Sequence, residues 1–209
     1  MRHTIATDFM PDFTGLSLDR GRYQLLENIG CGAYGKVYRA TDMSHRSSKK
    51  QALAIKCLMK PTSPRSCLSQ KRELEHHKLV SGHPNIVTFH RCFSDGQFVY
   101  VVLDFCNGGD LFFAIKERRL FHGNDCLTKT AFVQLIDAVA HCHRLGVFHR
   151  DIKPENILCS DDGSDIRLTD FGLSIMSPYS GDFICGSSGY MSPGKPPFLC
   201  IWRSYPSES

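Results

Sequence analysis

Four short stretches of this sequence carry residues whose types and spacing suit the handling of phosphate and a metal ion. Gly30-Cys31-Gly32-Ala33-Tyr34-Gly35-Lys36-Val37 sets three glycines where a backbone turn can approach phosphate oxygens with no side chain in the way. The strand-like run after them separates this stretch from a dinucleotide fingerprint, in which a helix follows. Ala54-Ile55-Lys56 lies downstream on a second strand, at a separation that lets the ammonium reach phosphates beneath the glycines. His149-Arg150-Asp151-Ile152-Lys153-Pro154-Glu155-Asn156 offers a base, a cation and a neutral oxygen ligand in one loop, and Asp170-Phe171-Gly172 adds a carboxylate suited to magnesium. Each alone has a bland reading as a glycine-rich hairpin, a solvated strand lysine or a polar loop. Their order and spacing together point to nucleotide phosphate chemistry.

These residues need elements to hold them. Tyr23 to Ile29 and Lys36 to Ala40 read as strands around the glycines, and Ala52 to Met59 as a strand ended by Pro61 and Pro64. Ser69 to Val80 has helical texture and stops at Gly82 and Pro84. Ile86 to Phe93 and Phe98 to Phe105 flank Ser94-Asp95-Gly96, a hairpin signal, and Ile157-Leu158 with Ile166 to Leu168 enclose a second one at Asp161-Asp162-Gly163. A short helix is expected through Phe112 and Ile115. Phe132, Leu135, Ile136 and Val139 form an i, i+3, i+4, i+7 stripe on a long helix. Residues 1–20 are polar and aperiodic and read as a flexible N-terminal arm. A strand-rich first part with one helix precedes a helix-rich second part, an α+β pattern of two lobes.

Composition limits the alternatives. The 209 residues are 42% hydrophobic, 22% charged and 11% aromatic, which excludes disordered, collagenous and coiled-coil chains. The longest apolar run, Phe98 to Leu103, is far too short to span a membrane, and the N-terminus has no apolar stretch for a signal peptide. Ten cysteines occur without a C-x-x-C pair, which fits free thiols in a reducing compartment, cytoplasmic or nuclear. The net charge of +4 is too mild to argue for nucleic acid, and no lipid motif is present, so neither nucleic acid nor membrane is an expected partner. Oligomeric state leaves no mark in the sequence. A cationic stretch from 43 to 72 precedes an acidic one from 151 to 170, a pattern that brackets a phosphate and a metal or is solvated surface. His141, His143 and His149 are dense enough to suggest a metal, but His141 and His143 are two apart on a helix and point to different faces. Cys31, Cys106 and Cys185 would lie near the nucleotide or the segment after Asp170. Redox-sensitive thiols and inert cysteines are both compatible with that placing.

From Tyr23 to Pro193 the ordered motif set resembles the eukaryotic protein kinases, and its texture is most similar to fungal serine/threonine kinases related to nutrient- and meiosis-regulating enzymes. The resemblance implies a two-lobed protein-kinase-like fold, with a β-rich N-lobe over 21–106 carrying one main helix and a helical C-lobe over 107–193. It implies ATP and Mg2+ as cofactors and a protein substrate with a Ser/Thr acceptor. Gly30, Cys31, Gly32, Ala33, Tyr34, Gly35 and Val37 would cover the nucleotide, and Lys56 would hold its α and β phosphates. Glu73 is the expected carboxylate partner of Lys56, with Glu75 the fallback. Asp151 would accept the hydroxyl proton, Lys153 would contact the γ phosphate, and Asn156 and Asp170 would hold magnesium. Ala54, Leu103, Leu158 and Thr169 would line the site, Asp104 to Cys106 would form the hinge, and Asp110 would contact the ribose. Phe89, His149 and Phe171 would belong to internal apolar stacks. Lys153 and Gly186-Ser187 follow the serine/threonine pattern. Asp182 stands where it could pair with Arg150 in place of a phosphothreonine, or be a solvated aspartate.

The family pattern breaks after Tyr190-Met191-Ser192-Pro193, where a glutamate is expected and Gly194-Lys195 stands instead. Residues 194–209 then form a non-family tail, and a retained intron reading GGU-AAG would give Gly-Lys at that position. The expectation is an incomplete C-lobe, a chain with little activity of its own, and exposed apolar patches where further helices would pack. A non-catalytic nucleotide-binding or partner-binding fragment is the alternative.

Overall fold

The computed structural model describes residues 10–32, 35–44, 52–177 and 186–190. Ala33, Tyr34, Asp182, Cys185 and the tail from 194 lie outside the described residues. The chain divides into two compact units. One holds the described residues up to Cys67 together with Thr88–Phe105, and the other holds Leu68–Val87 with the described residues from Cys106 onward.

The first unit is a six-stranded antiparallel sheet in the order β1-β2-β3-β4-β6-β5. Its strands are β1 (Ser17–Leu18), β2 (Tyr23–Gly32), β3 (Gly35–Asp42), β4 (Ala52–Met59), β5 (Phe89–Asp95) and β6 (Phe98–Asp104). Side chains alternate across a strand, so β4 sends Leu53, Ile55 and Cys57 to one face and Ala54, Lys56 and Leu58 to the other. The first face packs with Tyr38, Tyr100 and Val102. Burial there pushes the Cys57 thiol up to about 12.

That face is closed by a segment the polar texture of 1–20 hides. Residues 10–18 are not loose: Met10, Phe13 and Leu18 are buried in the same cluster. The Phe13 ring meets Phe98 edge-on at 4.9 Å, and its backbone N–H donates to Tyr38 Oη at 3.1 Å. Lys36 Nζ donates to the Met10 carbonyl at 2.8 Å. Three apolar residues without a period anchor the segment, so no periodicity announces it.

The second unit holds α1 (Pro64–Val80) from Leu68 on, α2 (Leu111–Lys116), α3 (Asp125–Arg144) and a hairpin of β7 (Ile157–Cys159) and β8 (Ile166–Leu168). Helix α1 begins five residues before the expected Ser69. Pro64 is not a strand terminator but the first helical residue, where its missing N–H costs nothing, and Ser63 Oγ accepts from Ser66 N at 3.2 Å. Helix α3 is capped by Asn124, whose Oδ1 accepts from Leu127 N at 3.0 Å. It ends at Gly146, with a left-handed φ of 74°. Asn85 locks α3 to the hairpin, its Nδ2 donating to Ile166 O at 3.0 Å and Gln134 Oε1 at 3.1 Å.

The apolar stripe of α3 is not its buried face. Ala131, Ala138 and Cys142 are buried, and Leu135 and Val139 pack against the core from its edge. Phe132 and Ile136 stand exposed, at 62% and 53%. Small residues face inward because the helix lies close to β8, and close approach excludes large side chains.

Candidate active site

In the first unit the β register gathers the expected nucleotide-lining residues onto one sheet face. Val37 lies opposite both Gly30 on β2 and Lys56 on β4, and Lys56 lies opposite Val101 on β6. Ala54 pairs with Leu103 in the neighbouring row. A Cβ on Gly35 would come within 2.2 Å of the Cys57 carbonyl, so the sheet itself demands glycine there. Gly30 and Gly32 differ: a Cβ would sit 3.7 Å from Val37 and 3.9 Å from the Gly35 carbonyl, ordinary contact distances. The fold leaves room at those two positions, as a backbone reserved for a ligand would. Cys31 is exposed, and Asp104 Oδ1 is 2.7 Å from His90 Nε2.

In the second unit the loop from His149 to Asn156 folds around Asp151. Asp151 Oδ1 accepts from Ser187 N and Ser187 Oγ, each at 2.9 Å. Its Oδ2 lies 2.9 Å from Lys153 Nζ and accepts from Asn156 Nδ2 at 3.1 Å. Lys153 Nζ also donates to Ser187 Oγ at 2.8 Å. Burial alone would raise the Asp151 carboxyl, but the hydrogen bonds from Lys153 and Ser187 outweigh it and hold the group below its ordinary range. Asp151 is therefore an ionised carboxylate held by donors.

His149 ties this loop to the Asp170 turn. Its Nδ1 accepts from Asp151 N at 3.3 Å, so Nε2 carries the proton and donates to Thr169 O at 2.9 Å. Burial lowers its basicity and favours that neutral form. Thr169 N in turn donates to Asn156 O at 2.9 Å, and Leu158 bridges to Asp110. Asp110 caps α2 through a 2.7 Å bond from Phe113 N, and Cys106 is half-buried. Arg150 and Asp170 both hold left-handed backbones, φ 68° and 63°. Such strain, about 1 kcal/mol or more each, concentrates at functional loops.

Helix α1 turns one face to the same turn. A Cβ on Gly172 would lie 3.3 Å from Asp170 Oδ1 and 3.5 Å from Glu73 Oε2. Glu75 is exposed, 3.7 Å from Lys71. Phe171 meets His149 at 4.9 Å and also His77 at 5.0 Å. The expected stack thus has a member the sequence reading lacks, while Phe89 lies in β5 of the first unit. Glu73, His76, His77 and Val80 follow i, i+3, i+4, i+7. That spacing was the available signal, and it passes unseen when histidine is not counted as a core residue. His141 stacks on His83 at 4.8 Å, whereas His143 stacks on Phe148 at 4.9 Å.

The family model of the protein kinase domain matches residues 23–195. This chain belongs to the eukaryotic serine/threonine protein kinases. The kinase sequence is 48% identical over 166 residues to the "Negative regulator of sexual conjugation and meiosis" of Schizosaccharomyces pombe, covering 79% of this chain and 34% of that protein. It is 36% identical to CBL-interacting protein kinase 22 of Oryza sativa, covering 83% and 43% of the two chains. It is also 36% identical to the serine/threonine-protein kinase ksp1 of S. pombe, covering 84% and 38%. The chain thus spans about a third to two fifths of the length of these curated relatives. Kinases of this family use ATP and Mg2+ and act on protein substrates. No helix among the described residues is long and apolar enough to cross a membrane.

Proposed function

We propose that this chain carries the catalytic apparatus for moving the γ-phosphoryl group of ATP to a serine or threonine hydroxyl of a protein. The observation that carries this reading is the hold on Asp151: an ionised carboxylate fixed by Lys153 and Asn156 of its own loop and by Ser187 from further along the chain. A carboxylate so placed orients an acceptor hydroxyl and takes its proton as the oxygen–phosphorus bond forms and the bond to the leaving oxygen breaks. Lys153 supplies positive charge where charge spreads over the transferring group. The amide N–H groups of Asn156 are spent on Asp151, which leaves its carbonyl oxygen as the ligand atom. That oxygen and the Asp170 carboxylate are a donor set suited to Mg2+, which would neutralise phosphate charge. Lys56 is assigned to the α and β phosphates. Gly30 and Gly32 offer backbone to the phosphates, and the face of Val37, Ala54 and Leu103 takes the base.

A second reading, a non-catalytic nucleotide- or partner-binding protein, is favoured by the exposed apolar side of α3. Thermal stabilisation by Mg-ATP together with radiolabelled phosphate transfer separates the two. Transfer abolished by Asp151→Asn supports the first, binding without transfer supports the second, and neither signal overturns both. A cytoplasmic or nuclear location accompanies the first reading and is tested by imaging the tagged protein.

A further inference from the structure

Helix α1 is attached to the Asp170 turn by a polar contact that the proposed chemistry does not use. His76 is 5% exposed and Ser174 is 3% exposed, and His76 Nδ1 lies 2.8 Å from Ser174 Oγ. Ser174 Oγ has a single proton, which it donates to the Phe171 carbonyl at 2.6 Å. The contact with His76 must therefore be filled by a proton on Nδ1, which fixes the tautomer. Ser174 N also donates to Phe171 O at 3.0 Å, closing the turn that follows Asp170. One residue on, His77 Nε2 lies 2.8 Å from Val87 O and the ring stacks on Phe171. Glu73 stands one turn earlier on the same face, beside Gly172.

We propose that His76 is a positioning residue which, through Ser174, locks helix α1 to the Asp170-Phe171-Gly172 turn and so fixes Glu73 and Asp170 relative to each other. The inference rests on the proposed function for its catalytic consequence and on geometry for the lock itself. The contact is costly to break, because the buried Nδ1–H of His76 would lose this acceptor. A helix held only by apolar contact could rotate or slide by small steps. The 2.8 Å bond adds a direction that such contact lacks. Burial, with Arg72 nearby, lowers the basicity of His76, and the contact itself asks only for a proton on Nδ1.

The test uses the whole 209-residue chain with 15N-labelled histidine. The imidazole spectrum should show His76 protonated at Nδ1. In His76→Leu and in Ser174→Ala, amide exchange at Ser174 and Ile175 should quicken about tenfold, while Leu168 in β8 keeps its protection. His76→Asn, whose amide can donate from nearly the same place, should stay within about threefold of the parent. If the chain transfers phosphate, His76→Leu should lower kcat about tenfold and change the KM for Mg-ATP less than about threefold. Any of four results overturns the lock: a proton on Nε2, unchanged exchange at Ser174 and Ile175, exchange at Leu168 rising in step, or no rescue by asparagine. Absence of transfer by the unaltered chain counts against the proposed function instead, and exchange and tautomer then decide the lock by themselves.

Discussion

Phe13 and Phe132 are the same residue type in two units that treat apolar surface in opposite ways. The sheet of the first unit has its Tyr38–Tyr100 face sealed by residues 10–18, and Phe13 is 6% exposed there. The second unit has an apolar core of its own, with Ile86, Ile166, Leu168 and Phe171 in it, yet its longest helix turns small residues inward and leaves Phe132 62% exposed. The strained backbones at Arg150 and Asp170 and the chain of bonds through His149 also belong to the second unit. The face sealed by Phe13 is held by packed aromatic volume. The loop around Asp151 is held by hydrogen bonds that fix directions, which is what positioning a carboxylate requires.

The comparison can be broken most forcefully at Asp151. Asp151→Asn keeps the shape but removes the base, so transfer should fall about a thousandfold while the Kd for Mg-ATP moves little. Equal loss of both in radiolabel and binding assays would mean that the loop is a structural lock and not a catalytic one. Next in size is the phenylalanine pair. Phe13→Ala should cost about 3–5 kcal/mol in urea unfolding, as for a buried aromatic, whereas Phe132→Ala should change stability by less than about 1 kcal/mol. Similar costs at the two positions would erase the distinction between the units.

The glycines sharpen it further. Gly35→Ala should destabilise the sheet by about 1–3 kcal/mol through overpacking against the Cys57 carbonyl. Gly32→Ala should leave the thermal midpoint nearly unchanged and weaken Mg-ATP binding. The reverse ranking would remove the argument that Gly30 and Gly32 are kept for a ligand.

Acid separates the units by a smaller and graded effect. His76, His141, His143 and His149 all lie in the second unit, and burial lowers each of them from 6.5. A base with a lowered folded value stabilises the native form above its unfolded value, and that contribution is lost as pH falls from 6.5 toward the folded value. In the first unit Asp12, Glu27 and Asp42 are the lowered groups, with ordinary values of 3.8, 4.5 and 3.8. Their contribution persists until pH drops through that lower range. Amide exchange followed from pH 7 to 5 should loosen the second unit first. Simultaneous loosening would contradict this order.

The sequence made the reacting groups more legible than their supports. The loop around Asp151 and the strand carrying Lys56 are readable because phosphate chemistry restricts residue type and spacing at once. Strand β4 is legible at both ends, Ala52 and Met59, since its apolar run stops sharply on both sides. Pro64 misled because one residue type both stops strands and starts helices, and the choice depends on Ser63 acting as a cap. On α3 the period was legible but the buried side was not, because Ala131 and Ala138 carry little hydrophobic signal beside Phe132 and Ile136. His76 and His77 leave no mark in the sequence for the complementary reason: a core polar residue is recognisable only once its partner, Ser174 or Val87, is known.

The pattern shared across the family begins at Tyr23, yet the sheet has already been sealed by then, through Met10, Phe13 and Leu18. What relatives hold in common and what a folding unit needs are different boundaries. A chimera or excised piece cut at the shared boundary would keep every motif residue and open an aromatic pocket to water. Its sickness would then be read as a fault in the active site, when the injury lay on the opposite side of the sheet.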